Sequence, residues 1–351
     1  MVYKLSAKSR VVIKFGGSSV RDSFSEALRL VQKLYEGNEV VIVLSALKGV
    51  TDLLLKLAES KSPEFLKEFE EIYLRTIERL GIELSIENEI RELKFILRNE
   101  KAFPSRKAYI DHVLSFGERL SVKLFSKALE DEGIKSTPVD AFYLIETNGS
   151  FGNAKVDLKK TKDKIWIVEE ILKRGRVPVI TGFLGNFNGF RTTLGRGGSD
   201  YTASVLGRLL NARAVLIMSD VKGIYTADPK IVRDAKLIPF ASYEEVSTAS
   251  MLGMKALHER AVEPVKGKIP IILGKTNNQH LGTLISKINA GMPILTYKII
   301  NENLASIGVV GVSEVNINAQ IYKRGRNWIC FLVKREELEN TLNAIHEVIF
   351  Q

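Results

Sequence analysis

Five stretches of this chain carry candidate functional side chains, and several of them suit the holding of an anion. In VVIKFGGSSV (residues 11–20) an apolar run delivers Lys14, then Gly16 and Gly17, then Ser18 and Ser19. Glycines at a strand end let backbone N–H groups approach an oxyanion closely, and the lysine adds a point charge, so the segment could hold phosphate. A tight turn with a snorkelling lysine accounts for the same residues. In GFLGNFNGFRTTLGRGGSDYTASVLGRLL a glycine-rich loop with Arg196, Gly197 and Gly198 runs into a helical pattern, with Ser199 or Asp200 at the capping position. A helix start beside an arginine combines dipole, N–H donors and guanidinium, which favours an anion site over a plain hairpin and capped helix. In MSDVKGIYTADPKIV a strand ends at Ser219 and Asp220, and a loop with Tyr225, Asp228, Pro229 and Lys230 follows. Such a loop suits a nucleoside pocket at the carboxyl edge of an open sheet, or equally a surface Pro turn. Glu118, after Gly117 in LSFGERL, lies between helical patterns and by itself reads as a solvated helix residue. Lys255, in SMLGMKALHERAVEPV, falls in an expected helical segment and could reach a phosphate. Neither GxxxxGK[ST] nor GxGxxG occurs, which disfavours a P-loop NTPase or a Rossmann dehydrogenase.

These residues need a scaffold, and 351 residues suffice for one large domain or two ordinary ones. The 45% hydrophobic and 26% charged content excludes a disordered or fibrous chain. No apolar run approaches the roughly 18 residues of a membrane helix, and Lys4, Lys8, Arg10 and Lys14 interrupt any secretory leader. A single cysteine, Cys330, excludes a disulfide framework or a Cys-rich zinc site and fits a reducing cytoplasm. His112, His258, His280 and His346 are too scattered for a His-based metal site. The net charge of +10 is spread along the chain without a basic block or interleaved aromatics. It therefore suits anionic small molecules or a solvated surface better than nucleic acid.

VVIKF (11–15), EVVIVLSA (39–46), VPVITGFLG (177–185), AVLIMSD (214–220) and IPIILG (269–274) are short, Val- and Ile-rich runs. They read as strands buried on both faces, as in a parallel sheet covered by helices. Ala27, Leu28, Val31, Leu34 and Tyr35 recur at helical spacing between the first two, which makes a βαβ unit. Residues 52–133 read as mostly helical, with stripes Phe65, Phe69, Ile72, Leu80 and Ile90, Leu93, Leu97. The expected fold is α/β, a three-layer αβα sandwich around a mainly parallel sheet over residues 1–287, with a helical insertion. Residues 288–351 change to short alternating strands, ASIGVVGV, VNINAQIY (315–322) and WICFLV, and a helix with Leu338, Leu342, Ile345 and Ile349 on one face. They form a second, small α+β module.

The order KFGGSSV, VLSALKGVTDLL, LSFGERLS, GFLG with TTLGRGGSDYTA, SDVKGIYTADPKIV and SMLGMKALHERAVEP resembles the aspartate kinases over residues 11–286. GRGGSDYTA and FGE separate it from acetylglutamate, carbamate and uridylate kinases of the same amino-acid-kinase fold. The resemblance implies ATP-dependent phosphorylation of the β-carboxylate of L-aspartate to 4-phospho-L-aspartate, the first step of biosynthesis in the aspartate family of amino acids (lysine, threonine, methionine). It assigns Lys14, Gly16, Gly17 and Ser18 to the phosphates, and Thr51, Glu118, Phe183, Arg196 and Ser199 to aspartate. Ser219, Asp220, Tyr225, Lys230 and Lys255 match the nucleotide positions, and Asp200 organises the catalytic Lys14. ATP and Mg²⁺ are the implied cofactors, with the metal ligands left open. The acceptor carboxylate, of pKa ~3.9, is ionised at neutral pH and needs no general base. The difficulty is repulsion between two anions, which cations and in-line placement must offset. Lys14 and Lys255 would then take the phosphates, Arg196 a carboxylate as a two-pronged clamp, and Glu118 the ammonium.

The sequence departs from that family at Lys230, usually arginine, at Glu259, usually proline, and at Ser18, often threonine. The tail departs further. Aspartate kinases usually carry two ACT modules of βαββαβ pattern, whereas here only Ser313 and Glu314 separate GVVGV from VNINAQIY, where the first ACT helix belongs. A crossover helix needs about ten residues or more. The expectation is a single, reduced ACT-like module, weak or absent feedback inhibition by lysine or threonine, and a homodimer formed through the module's exposed strands. Two other readings stand beside this one: another carboxylate or carbamate kinase of the same fold, and a non-catalytic amino-acid or nucleotide sensor.

Overall fold

The computed structural model describes residues 8–315, 317 and 319–350. Residues 1–7, where the interruption of a leader begins, lie outside them, as do Asn316 and Asn318 of the expected strand 315–322. The chain divides into two compact units, Met1–Asp220 with Thr276–Gln279, and Val221–Lys275 with His280–Gln351.

In chain order the first unit contains β1 (Ser9–Phe15), α1 (Gly17–Asp22), α2 (Phe24–Gly37), β2 (Asn38–Leu44), α3 (Val50–Ser60), α4 (Pro63–Leu80), α5 (Glu87–Arg98) and α6 (Arg106–Asp131). It continues with β3 (Ser136–Val139), α7 (Leu158–Lys162), α8 (Trp166–Lys173), β4 (Val177–Thr181), β5 (Leu184–Phe187), β6 (Phe190–Thr193), α9 (Gly198–Leu209) and β7 (Ala214–Ser219). Strands β3-β4-β2-β1-β7 form an entirely parallel sheet. Helices cover both faces of it, which is why β1 and β2 are continuous apolar runs rather than alternating ones. Successive β1 side chains point to opposite faces. Phe15 meets Phe125 of α6 at 5.7 Å between ring centroids, and Phe24 of α2 reaches the same ring at 5.1 Å. Val12 faces α9 instead, where a Cβ on Gly207 would lie 4.0 Å from Val12 and 2.4 Å from Val215. Two residues along, Lys14 is delivered toward the same helix.

The helical insertion is as expected, with the buried line of α4 running through Phe69, Tyr73, Thr76 and Ile77 while Phe65, Ile72 and Leu80 flank it. Ser105 caps α6 by accepting from the Ala108 N–H at 3.1 Å, and the helix then runs 26 residues, buried around most of its circumference. The expected strand 177–185 breaks into β4 and β5. Phe183 turns the chain with φ of 67°, and β5 pairs with β6 rather than extending the parallel sheet.

The second unit contains β8 (Phe240–Ser242), α10 (Tyr243–Met251), α11 (Glu259–Val262), β9 (Ile271–Lys275), β10 (His280–Ser286), β11 (Ile294–Ile299), β12 (Leu304–Val310), β13 (Gln320–Gly325), β14 (Trp328–Lys334) and α12 (Leu338–Phe350). Here β10 pairs antiparallel with β9 and parallel with β8. Strands β11-β12-β14-β13 form an antiparallel sheet. Leu338, Leu342 and Ile345 of α12 pack on Ile307, Phe331 and Val333 of that sheet. Ala227 and Val232 belong to the same apolar cluster, so residues before β8 share a core with the tail, and the compact units do not meet at residues 287 and 288. β11 was not legible as an alternating strand. β13 begins at Gln320, later than the apolar run suggests, and lies largely exposed at the sheet edge. Among the described residues, no helix lies between β12 and β13, and none is long and apolar enough to cross a membrane.

Candidate active site

The end of β1 and the start of α9 meet through a charge pair. Lys14 Nζ lies 2.6 Å from Asp200 Oδ1, and both side chains are largely shielded from solvent. Removing either partner would strand a charge, at a cost of about 3–5 kcal/mol where such a pair is buried. The helix begins with Gly197 as its cap, at φ of 72°, and no side chain caps it. The expectation of Ser199 or Asp200 as the cap is therefore corrected: both lie inside the first turn, and the Asp200 carboxylate is committed to Lys14. The Gly-Gly turn is a close backbone crossing. Gly16 N–H donates to the Met218 carbonyl at 3.0 Å, and a Cβ on Gly17 would lie 2.7 Å from the Ala46 carbonyl oxygen.

Glu118 is not between helices but in the middle of α6, and it is 2% exposed. Gly117 makes this possible, since a Cβ there would lie 2.7 Å from that of Ala46. The close approach lets the Ala46 N–H donate to Glu118 Oε1 at 3.1 Å, while Oε2 is buried with no hydrogen-bond partner among the described residues. Burial raises the carboxyl pKa to about 8, only partly opposed by the Ala46 N–H. A buried carboxyl with one oxygen unused keeps an acceptor that a polar or cationic group entering the cavity could use.

Lys14, Thr51, Glu118, Phe183, Arg196, Ser199 and Asp200 line one cavity of about 270 Å³ together with Ser45, Gly195, Gly197 and Gly198. Phe183 holds a left-handed backbone there, uncommon for a bulky residue, with its N–H donated to Thr202 Oγ1 at 3.2 Å. Gly182 and Gly198 admit Ser199 and Phe183 to within a distance that a Cβ would block. Arg196 is exposed at the rim.

Asp111, which the sequence reading passed over, braces this loop from α6. Its carboxylate accepts from the Gly152 N–H, the Thr193 N–H and the Thr193 hydroxyl at 2.7–2.8 Å. Burial lifts its pKa to about 6 against those three donors. Since Thr193 is three residues before Arg196, the loop carrying Arg196 is tied to the helix carrying Glu118. Asp111 precedes Glu118 by seven residues, two helical turns on the same face, a spacing that a single long helix would have revealed. On the flank of α6, Arg119 pairs with both oxygens of Glu92, at 2.9 and 2.6 Å, and Arg191 pairs with Asp140 at 2.7 Å. Although burial works against it, the neighbouring His112 ring and the paired Arg119 guanidinium hold the Glu92 carboxyl down at about 2.

The nucleotide-side residues are placed differently. Ser219 and Asp220 follow β7 in the first unit, where Ser219 carbonyl accepts the Thr276 N–H at 2.9 Å. Tyr225, Lys230 and Lys255 belong to the second unit. Lys255 lies in an irregular segment after α10, not in the helix that its neighbours suggest, because α10 ends at Met251 and the chain turns at Gly253 with φ of 117°. Among the described residues no group of three or more His, Cys, Asp or Glu is arranged to hold a metal ion.

The profile of the amino acid kinase family matches residues 9–275. The chain is 35% identical to lysine-sensitive aspartokinase 3 of Escherichia coli over 297 residues, 81% of this chain and 66% of that one. It is 32% identical to the aspartokinase of Rickettsia felis over 312 residues, 86% of this chain and 68% of that one. It spans 58–66% of the length of the E. coli enzyme, of aspartokinase 2 of Arabidopsis thaliana and of the aspartokinase of Chlamydia muridarum. The structure of E. coli aspartokinase III in complex with aspartate and ADP shares the fold, with a TM-score of 0.84 at 23% identity over 97% of this chain and 100% of that one.

Proposed function

The chain belongs to the amino acid kinase family, among the aspartokinases, and we propose that it transfers the γ-phosphoryl group of ATP to the β-carboxylate of L-aspartate, yielding 4-phospho-L-aspartate and ADP. The observation that carries this reading is the single cavity that joins a lysine, an arginine, a helix start and a buried carboxyl with an unused oxygen. Aspartate has one ammonium and two carboxylates, and the cavity has a seat for each kind of charge. Glu118 would take the ammonium, its carboxyl ionising as the cation arrives. Arg196 would clamp the α-carboxylate, with Ser199, Thr51 and the Phe183 turn closing around the amino acid. The β-carboxylate is then left to face Lys14. Asp200 fixes the Lys14 ammonium at the phosphate side, so charge developing on the transferring group meets a cation already in place.

Lys14, Gly16, Gly17 and Ser18 would contact the phosphates, and Ser219, Asp220, Tyr225, Lys230 and Lys255 the nucleotide. Mg²⁺ usually binds through one or two carboxylates plus substrate phosphates, so a site without a carboxylate cage is compatible with an ion carried largely by ATP. When bound, that ion would neutralise phosphate charge. Lys14 and Lys255 would hold the phosphates that carry it.

In functional terms residues 1–287 carry the transfer and residues 288–351 form a single, reduced ACT-like module. Among the described residues the module's α-helix is α12, and none lies between β12 and β13, where a βαββαβ unit has its first helix. We expect weak or absent feedback inhibition by lysine or threonine, a homodimer built on the exposed edge strand β13, and a cytoplasmic enzyme serving lysine, threonine or methionine synthesis. ADP release measured across a panel of amino acids tests the activity. Release with aspartate alone supports it, and release only with glutamate or acetylglutamate moves the chain to a different acceptor. Micromolar binding of lysine or threonine in a titration would defeat the regulatory part.

A further inference from the structure

We propose that Tyr297, on the first strand of the C-terminal sheet, is a positioning residue for the nucleotide phosphates, acting through Lys255. The inference rests on the reading of Lys255 as a phosphate contact and deepens it. Lys255 sits on an irregular segment and is exposed, with no helix to aim its four-carbon stem. Its ammonium donates to the Tyr297 hydroxyl at 3.3 Å and lies 4.8 Å from the centre of the same ring. The hydroxyl in turn donates to Asp228 Oδ2 at 3.3 Å, and Asp228 Oδ1 accepts the Lys230 N–H at 3.0 Å. Tyr297 thus joins the two lysines assigned to the nucleotide, one through its side chain and one through the turn that carries it. An ammonium has three donors, so one bond to Tyr297 leaves two for a phosphate.

The backbone holds this arrangement in register. Leu295 N–H donates to the Thr226 carbonyl at 2.8 Å, two residues before Tyr297 on β11, so the strand is pinned beside the segment that begins with Tyr225. Thr296 Oγ1 donates to the Leu252 carbonyl at 3.1 Å. Gly253 is required next to it, because a Cβ there would lie 2.2 Å from the Tyr297 carbonyl oxygen. On the far side, His346 of α12 meets Thr226 Oγ1 at 3.0 Å, and Ala227 and Val232 enter the core of the C-terminal sheet. The segment 225–232 and the loop with Lys255 are both built onto strand β11. Holding a flexible lysine near its working position lowers the ordering cost of binding, which would appear in the affinity for ATP rather than in aspartate recognition.

Steady-state kinetics of the full chain test this with Tyr297→Phe, which keeps the ring under Lys255 but removes the hydroxyl relay, and with Lys255→Ala. The expected result for Tyr297→Phe is an ATP KM raised roughly 3- to 10-fold, an aspartate KM within about twofold of the parent and an unchanged Tm. In the Lys255→Ala background the same substitution should add little, because the two residues act as a pair. If Lys255→Ala raises the ATP KM and Tyr297→Phe does not, Tyr297 has no such role although the reading of Lys255 stands. An effect of Tyr297→Phe that is undiminished in the Lys255→Ala background would make it merely structural and overturn the proposal. If Lys255→Ala itself leaves the ATP KM unchanged, the assignment of Lys255 fails and the proposal falls with it.

Discussion

The cavity proposed for the amino acid and the segment proposed for the nucleotide are held by opposite means. Lys14, Glu118 and Asp200 stand on a central strand and two long helices, and all three are wholly or largely buried. Lys230 and Lys255 stand on irregular, exposed segments whose geometry is set by residues far downstream, Tyr297 and His346. A carboxyl with a pKa near 8 and a shielded lysine pair need a dry, rigid surround, which only packed elements supply. The proposed contact with a large polyanion from its solvent side would need reach more than dryness, and exposed side chains on a surface segment supply that.

The largest test of this contrast is Lys14→Ala. Loss of a preplaced cation should lower kcat about 10²- to 10³-fold and change ATP affinity much less, as read by coupled ADP release. Weakened ATP binding with normal turnover would move Lys14 out of the transition state and erase the contrast. Next in size, Arg196→Lys should raise the aspartate KM roughly tenfold or more while sparing the ATP KM. A lysine cannot reproduce a two-pronged contact, and hydrogen bonds to charged groups are worth about 1.5–3 kcal/mol.

Glu118 gives an effect that depends on pH. Its carboxyl is mostly protonated in the ligand-free protein at pH 7, being pushed up to about 8 from an ordinary 4.5. Binding of an ammonium should ionise it, so aspartate binding should release about one proton at pH 7 and progressively less above pH 8. Calorimetric titration in two buffers of different ionisation enthalpy reads this directly, and Glu118→Gln should abolish the release. The sign for stability follows from the same shift. Between pH 4.5 and about 8 the folded state keeps a proton that the unfolded chain has lost, so the stability associated with this group is greatest below 4.5 and is lost as pH rises through 8. Glu118→Gln should therefore raise the Tm at pH 7 and leave it nearly unchanged at pH 4. The smallest expected effect belongs to the other region. Lys230→Ala, at an exposed position, should raise the ATP KM only about two- to threefold. A loss as large as that of Lys14→Ala would show that the exposed segment is as demanding as the buried cavity.

The parallel strands and helices α2, α4 and α5 were legible in the chain because a strand buried on both faces leaves an uninterrupted apolar run, and a helix packed on one side repeats its apolar positions. The glycine turns at residues 16–17 and 197–198 were legible for a related reason, since close backbone approach excludes any other residue. Three features were not. Glu118 read as a solvated helix residue, because burial of a carboxyl is decided by what packs against Gly117 and not by its own neighbours in sequence. Asp111 gave no signal until one continuous helix placed it two turns from Glu118. Lys255 read as helical, because local pattern does not register that Gly253 must turn the chain against Tyr297, more than forty positions away.

By itself the sequence determined which chemical groups are present and which elements deliver them: a lysine at a strand end, an arginine at a helix start, glycines where backbones cross. Those properties are local, set by periodicity and steric allowance within a few residues. Only the tertiary structure decided that these groups share a cavity, that one carboxyl is buried with an oxygen to spare, and that the C-terminal sheet reaches back to residues 226–232. Burial and electrostatic coupling act through space between residues distant in the chain, and folding alone sets those distances.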